Sequence, residues 1–114
     1  MLYICIMNKA VSNKEGLLSL LASNRGTIKD YGVKQLGLFG SFVRNEQKME
    51  SDIDFLVDFE PDQYKYRNFI NLAYYLEELL GRKVEVVTRS GLSPYLAPHI
   101  LKEVENVLDM VGSY

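Results

Sequence analysis

The sequence predicts a mixed α/β (α+β) domain in which a small mixed β-sheet is flanked by helices. Three observations predict it. Apolar runs of strand length and apolar stripes of helical spacing follow one another in the order helices, strand, strand, helix, strand, helix. The stripe Phe69 to Leu79 is apolar on one side only and so needs a sheet to cover. The chain of 114 residues, 47% hydrophobic and 25% charged, is long enough for one modest core and too short for two domains.

Residues 1–11 read as an N-terminal extension and residues 12–114 as a single minimal domain. Met1 to Met7 is apolar but too short for a membrane span, and it lacks the basic lead and cleavage site of a signal peptide; Met7 offers an alternative start. Ser12-Asn13-Lys14-Glu15 has the form of a capping box, and Leu17, Leu18, Leu20 and Leu21 follow it as a short amphipathic helix. Gly26 is expected to break the helical stretch in two before Gly32 stops it, and Val33 to Phe39 forms a first strand. Arg44 to Ser51 is mostly polar, as befits an exposed turn or short helix, and Asp52 to Phe59 is the second strand.

Pro61-Asp62 turns the chain into a helix marked by Phe69, Leu72, Ala73, Leu76 and Leu79 and capped by Gly81. Lys83 to Thr88 is the third strand, with Glu85 and Val87 on one face and Val84 and Val86 on the other. After a loop from Gly91 to Pro94, the stripe Leu96, Ile100, Val104, Val107, Leu108 and Val111 predicts a final helix. No internal repeat or low-complexity segment interrupts this order.

A net charge of −2 gives no basic footprint, so a nucleic acid is not expected as a direct partner, and no membrane association is expected either. The single cysteine, Cys5, excludes an internal disulfide and fits a reducing cytoplasm. The single histidine, His99, falls on the polar side of the last helix, and no Cys-His metal cluster or nucleophilic triad can be assembled.

The chemistry concentrates in two segments. Gly37-Leu38-Phe39-Gly40-Ser41 reads as a buried strand running into a tight turn, where glycine lets the backbone approach a ligand and Ser41 adds a hydroxyl. In the second strand Ile53, Phe55, Val57 and Phe59 face one side while Asp52 and Asp54 face the other, about 7 Å apart along the backbone. Carboxylates at that spacing repel unless a cation neutralises them, and they suit two hard cations about 3.5–4 Å apart, as in two-metal phosphoryl and nucleotidyl transfer. Mg2+ is the expected ion, with a nucleoside triphosphate as substrate. Glu85, on a neighbouring strand, is the candidate third carboxylate. Arg44 is positioned to add charge beside the phosphates. Asp58 lies about 13 Å from Asp54 by strand rise, beyond such a cluster, and reads as structural or exposed.

This joint pattern resembles the nucleotidyltransferases related to DNA polymerase β, whose signature is Gly-Ser, a spacer and Asp-x-Asp, and within them the minimal, MntA-like antitoxin branch. The likeness runs through Leu38-Phe39-Gly40-Ser41-Phe42-Val43-Arg44-Asn45-Glu46, Ser51 to Phe59, Gly81 to Thr88 and Leu92 to Leu96, roughly residues 30 to 110 in all. The resemblance implies the nucleotidyltransferase fold, with Ser41 and nearby backbone N–H groups holding the β- and γ-phosphates of ATP. It implies catalytic and metal-binding roles for Asp52, Asp54 and Glu85, the last also deprotonating the acceptor hydroxyl. That third position is usually Asp in the family, so Glu85 must reach the metal with a different rotamer. Asn45 replaces the glycine usual after the arginine, a mild change because asparagine tolerates the left-handed conformation.

By the same resemblance the chain is expected to be a cytoplasmic antitoxin that transfers AMP from ATP to tyrosine on a partner HEPN-domain toxin, a helical RNase. The lack of a second domain for an acceptor fits a partner protein in that role, docked on a strand edge or a surface rich in Tyr64 and Tyr66. Two other readings stay open at the level of sequence. One is a non-catalytic antitoxin that neutralises by binding alone. The other is a transferase acting on a small hydroxylated acceptor such as an aminoglycoside.

Overall fold

The computed structural model describes residues 11, 13–48, 51–63 and 65–109. The readings placed on Cys5, Ser12, Tyr64, Val111 and most of the extension lie outside the described residues. In chain order the elements are α1 (Lys14–Ser23), α2 (Arg25–Asp30), β1 (Val33–Phe39), α3 (Ser41–Arg44), β2 (Ile53–Phe59), α4 (Tyr66–Leu80), β3 (Val84–Thr88), α5 (Ala97–Glu103) and β4 (Glu105–Asp109). Single 3-10 turns at Pro61–Gln63 and Arg89–Gly91 link β2 to α4 and β3 to α5.

Asn13 caps α1, its side-chain oxygen accepting the Gly16 N–H at 2.8 Å. The break between α1 and α2 falls at Asn24, whose Nδ2 donates to the Leu20 carbonyl at 2.8 Å; Gly26 lies inside α2. Gly32, at φ 88°, turns the chain into β1. The four strands are ordered β3-β2-β1-β4, with β1 antiparallel to both neighbours and β2 parallel to β3. A parallel pair needs a crossover, and the 15 residues of α4 supply it before Gly81 closes the helix at φ 69°.

The final helix predicted from Leu96 to Val111 is corrected. Helix α5 ends at Glu103, Val104 becomes extended at φ −63° and ψ 139°, and residues 105–109 pair with β1 as a fourth strand. Without β4, that edge of β1 would leave its N–H and C=O groups unpaired, a cost that tertiary pairing removes whatever the local periodicity. Gly37 makes room for the turn, because a Cβ there would meet the Val104 Cγ2 at 2.6 Å.

One face of the sheet is covered by helices. Leu36 stands opposite Val57 and Leu38 opposite Phe55 across the β1–β2 ladder, and all four are fully buried with Leu17, Leu21, Ile28, Leu72, Leu76 and Leu80. Burying each such side chain contributes about 1.5–3 kcal/mol, which makes this layer the main support of the sheet. Val11 joins the same core and donates its N–H to the Leu80 carbonyl at 3.0 Å. The alternate residues of β2, Asp54, Leu56 and Asp58, point to the opposite face.

Candidate active site

Antiparallel pairing brings the two chemical segments together. Phe39, the last residue of β1, stands opposite Asp54, so the turn that follows it opens beside that carboxylate. Gly40 adopts φ 85° and ψ −154°, a region that L side chains rarely enter. A Cβ at Gly40 would also collide with the Asp54 carboxylate. Glycine is therefore required both by the backbone and by the side chain packed against it. Phe42, fully buried, anchors the short helix α3 under the turn, and Asn45 ends it in the left-handed region at φ 59° and ψ 38°.

Asp52 precedes β2 by one residue and is exposed, while Asp54 is half-buried within the strand. In the parallel ladder Asp54 stands opposite Glu85, on strands about 4.8 Å apart. The electrostatic record of this grouping is carried by Asp54. Burial, then the charges of Glu85, Asp52 and Glu103, push its carboxyl up to about 6, with Arg44 pulling in the other direction. A hard cation placed among these oxygens would relieve that repulsion, so the donor set fits a metal such as Mg2+. Among the described residues no three acidic, histidine or cysteine side chains are gathered tightly enough to ligate an ion as they stand. Closing around one takes a rotamer change at Asp52 or Glu85, both of which are exposed to solvent.

Two residues to which the sequence reading gave no role position this site. The Arg82 guanidinium donates to the carbonyls of Ser51, Lys48 and Val11 and lies 5.0 Å over the Phe42 ring. It thereby ties the approach to Asp52 to the helix beneath the glycine turn. Glu103, at the end of α5, accepts the Gly40 N–H at 2.7 Å through Oε2 and pairs with Arg44 through Oε1 at 2.5 Å. Burial alone would raise the Glu103 pKa, but the Gly40 N–H and the Arg44 guanidinium outweigh it and hold the carboxyl below its ordinary range. Neither residue carries a local signal, since their partners lie far off in the chain.

Arg44, assigned by sequence to the phosphates, does stand at the turn, but its guanidinium is shared between Glu46 at 3.0 Å and Glu103. Asp58 pairs with Arg89 at 3.2 Å, a structural contact away from the carboxylate group. That pair lines a cavity of about 240 Å³ with Val57, Phe59, Pro61, Thr88 and Ser90, at the far ends of β2 and β3. His99 is exposed, and Tyr66 is 78% exposed at the start of α4.

Residues 24–107 match the nucleotidyltransferase domain family. The chain is 42% identical over 98 residues to the protein adenylyltransferase MntA of Thermococcus cleftensis, a match covering 83% of this chain and 96% of the relative. A solved structure described as a minimal nucleotidyltransferase superposes with a TM-score of 0.74 at 30% identity, over 85% of this chain and 98% of that one. The fold recurs, at a TM-score of 0.59 and 20% identity over 82% of this chain and 73% of the other, in a complex of tri-AMPylated Shewanella oneidensis HEPN toxin with MNT antitoxin. Because the family match runs through both the Gly40 turn and the Asp52–Asp54 strand and takes in most of the chain, this protein belongs to the nucleotidyltransferase domain family.

Proposed function

We propose that the protein is a Mg2+-dependent adenylyltransferase that moves AMP from ATP to a tyrosine hydroxyl of a partner HEPN-domain toxin and so silences it. The observation that carries this reading is the lodging of the Asp54 carboxylate against the Cβ-less Gly40, which sets a phosphate-binding turn directly beside the acidic strand. The named relative supports the adenylyl group as the one transferred, and the AMPylated HEPN complex of the same fold supports the class of acceptor.

Asp52, Asp54 and Glu85 are the residues that would hold Mg2+. Bound there, the ion would neutralise the triphosphate and stabilise charge as it develops in transfer. The Gly40 N–H and the Ser41 hydroxyl receive the β- and γ-phosphates, with Arg44 beside them. Glu85 accepts the proton of the tyrosine hydroxyl as its oxygen attacks the α-phosphorus. The new phosphorus–oxygen bond forms while the bond from the α-phosphorus to the bridging oxygen breaks, and pyrophosphate leaves with that electron pair. Asp54, with its carboxyl near 6, is mostly ionised at neutral pH and ready to face a cation. Among the described residues no helix is long and apolar enough to cross a membrane, and a reaction that consumes ATP fits the cytoplasm.

The test is transfer of radiolabel from the α-phosphate of ATP to the purified partner, with and without Mg2+. Label should appear only with the metal. Glu85→Gln should lower turnover about 10²–10⁴-fold, far more than it lowers ATP affinity, and Glu85→Asp should retain much of the activity. Equal labelling in chelator would overturn the metal-dependent reading. Toxin neutralisation by a protein that transfers no label would favour binding alone.

A further inference from the structure

The Gly40 N–H and the Arg44 guanidinium both point at one carboxylate of the same chain. Glu103 takes the first through Oε2 at 2.7 Å and the second through Oε1 at 2.5 Å. Two oxygens bridging a backbone N–H and a guanidinium reproduce what two oxygens of a terminal phosphate would do at the same donors. We propose that Glu103 is a resident mimic of the nucleotide's terminal phosphates, holding their seat in the nucleotide-free protein and yielding it to the incoming triphosphate. The inference rests on the ATP-binding reading above and assigns that site its competitor.

The surroundings fit a group that is held and can let go. The Glu103 side chain is 25% exposed, so a rotamer change carries it to solvent without breaking the core. Its backbone is fixed on both sides, by α5 before it and by the extended Val104 packed over Gly37 after it. The seat is also self-consistent electrostatically. One carboxylate satisfies the backbone N–H and the guanidinium together, so the seat is built of donors that favour an anion. Filling the seat with a side chain keeps the strained Gly40 turn formed and its N–H satisfied until nucleotide arrives. Nucleotide affinity is then lowered by the work of displacing Glu103, a cost levied only on ligands that reach this seat.

That selectivity separates competition from a merely structural role. Calorimetry with ATP–Mg2+, tripolyphosphate–Mg2+ and AMP on the wild type, Glu103→Gln and Glu103→Ala reads it directly, with circular dichroism to establish that each variant is folded. Both variants should bind ATP–Mg2+ and tripolyphosphate–Mg2+ about 10-fold more tightly than the wild type, the worth of one charge-assisted contact, while AMP affinity stays level. Should one variant fail to fold, the other carries the comparison. Unchanged or weaker binding of ATP–Mg2+ would overturn the proposal, the weaker case making Glu103 a ligand or support of the site. An equal shift for AMP and ATP would overturn it as well. If the wild type and both variants bind no ATP–Mg2+ at all, the nucleotide reading itself fails and this one with it; if the wild type binds normally, only the role of Glu103 is at stake.

Discussion

The two faces of the β-sheet are built from alternate residues of the same strands and obey opposite rules. On one face Ile53, Phe55 and Val57 are fully buried beneath α1, α2 and α4. On the other, Asp54 and Glu85 sit side by side with their charges repelling one another. The first face contributes stability through area removed from water. The second gives some of it up to keep negative charge in place, and the difference predicts that the two faces can be perturbed separately although only one residue of the backbone divides them.

The sharpest way to break this comparison is Asp54→Asn. Label transfer should fall by about 10³-fold or more, because an amide cannot neutralise a cation as a carboxylate does. The melting temperature of the metal-free protein should stay level or rise, since a half-buried charge has been removed. A substantial fall in melting temperature would show that the two faces are not separable.

The opposite perturbation is Leu76→Ala, at a position with no exposed surface. It should cost about 2–5 kcal/mol in denaturant unfolding and leave the turnover of the folded fraction nearly unchanged. A loss of turnover at conditions where the variant is folded would tie core packing to site geometry.

A smaller effect comes from pH. Asp54 binds its proton more tightly folded than unfolded, with a folded value of about 6. In metal-free protein its penalty is therefore full above about pH 6 and fades as pH falls from 6 towards the ordinary carboxyl value of about 4. After discounting for its partial exposure, the wild type should gain about 1–2 kcal/mol relative to Asp54→Asn over that window. Glu103 runs the other way, its stabilisation being present above the ordinary carboxyl value and lost as pH falls through its depressed folded value. Parallel stability curves for the wild type and Asp54→Asn would refute the repulsion described here.

The smallest effect is expected at the surface. Lys14 meets Glu105 at 2.7 Å with both side chains partly in water, so Lys14→Ala should change unfolding free energy by no more than about 1 kcal/mol and leave transfer untouched. Both quantities come from the same urea titration and labelling assay used for the larger perturbations.

What was legible in the sequence was local. The alternation in β2, the stripe of α4 with its Gly81 cap, and the Gly40 and Asp52–Asp54 segments each declare themselves within a few residues. What was not legible depends on partners distant in the chain. Val104, Val107 and Leu108 continue a helical period, yet the open edge of β1 draws residues 105–109 into a strand, because backbone pairing across the sheet outweighs a short stripe. Glu103 is an ordinary polar position on a helix until the fold carries it 63 residues back to Gly40. Arg82 likewise gains its meaning only when Ser51 and Val11 arrive beside it.

The placement of β1 between β2 and β4 also sets an order of events as the chain is made. β1 can pair with β2 once the short stretch through α3 has been synthesised, but its other edge stays bare until residues 105–109 emerge after a further crossover and helix. A nascent chain therefore exposes a strand edge, with apolar Leu36 and Leu38 on it, for most of its synthesis. Edge-to-edge association in that interval is the hazard this topology carries. In refolding, Leu108→Ala should speed unfolding while hardly slowing folding, the kinetic mark of a strand that docks last.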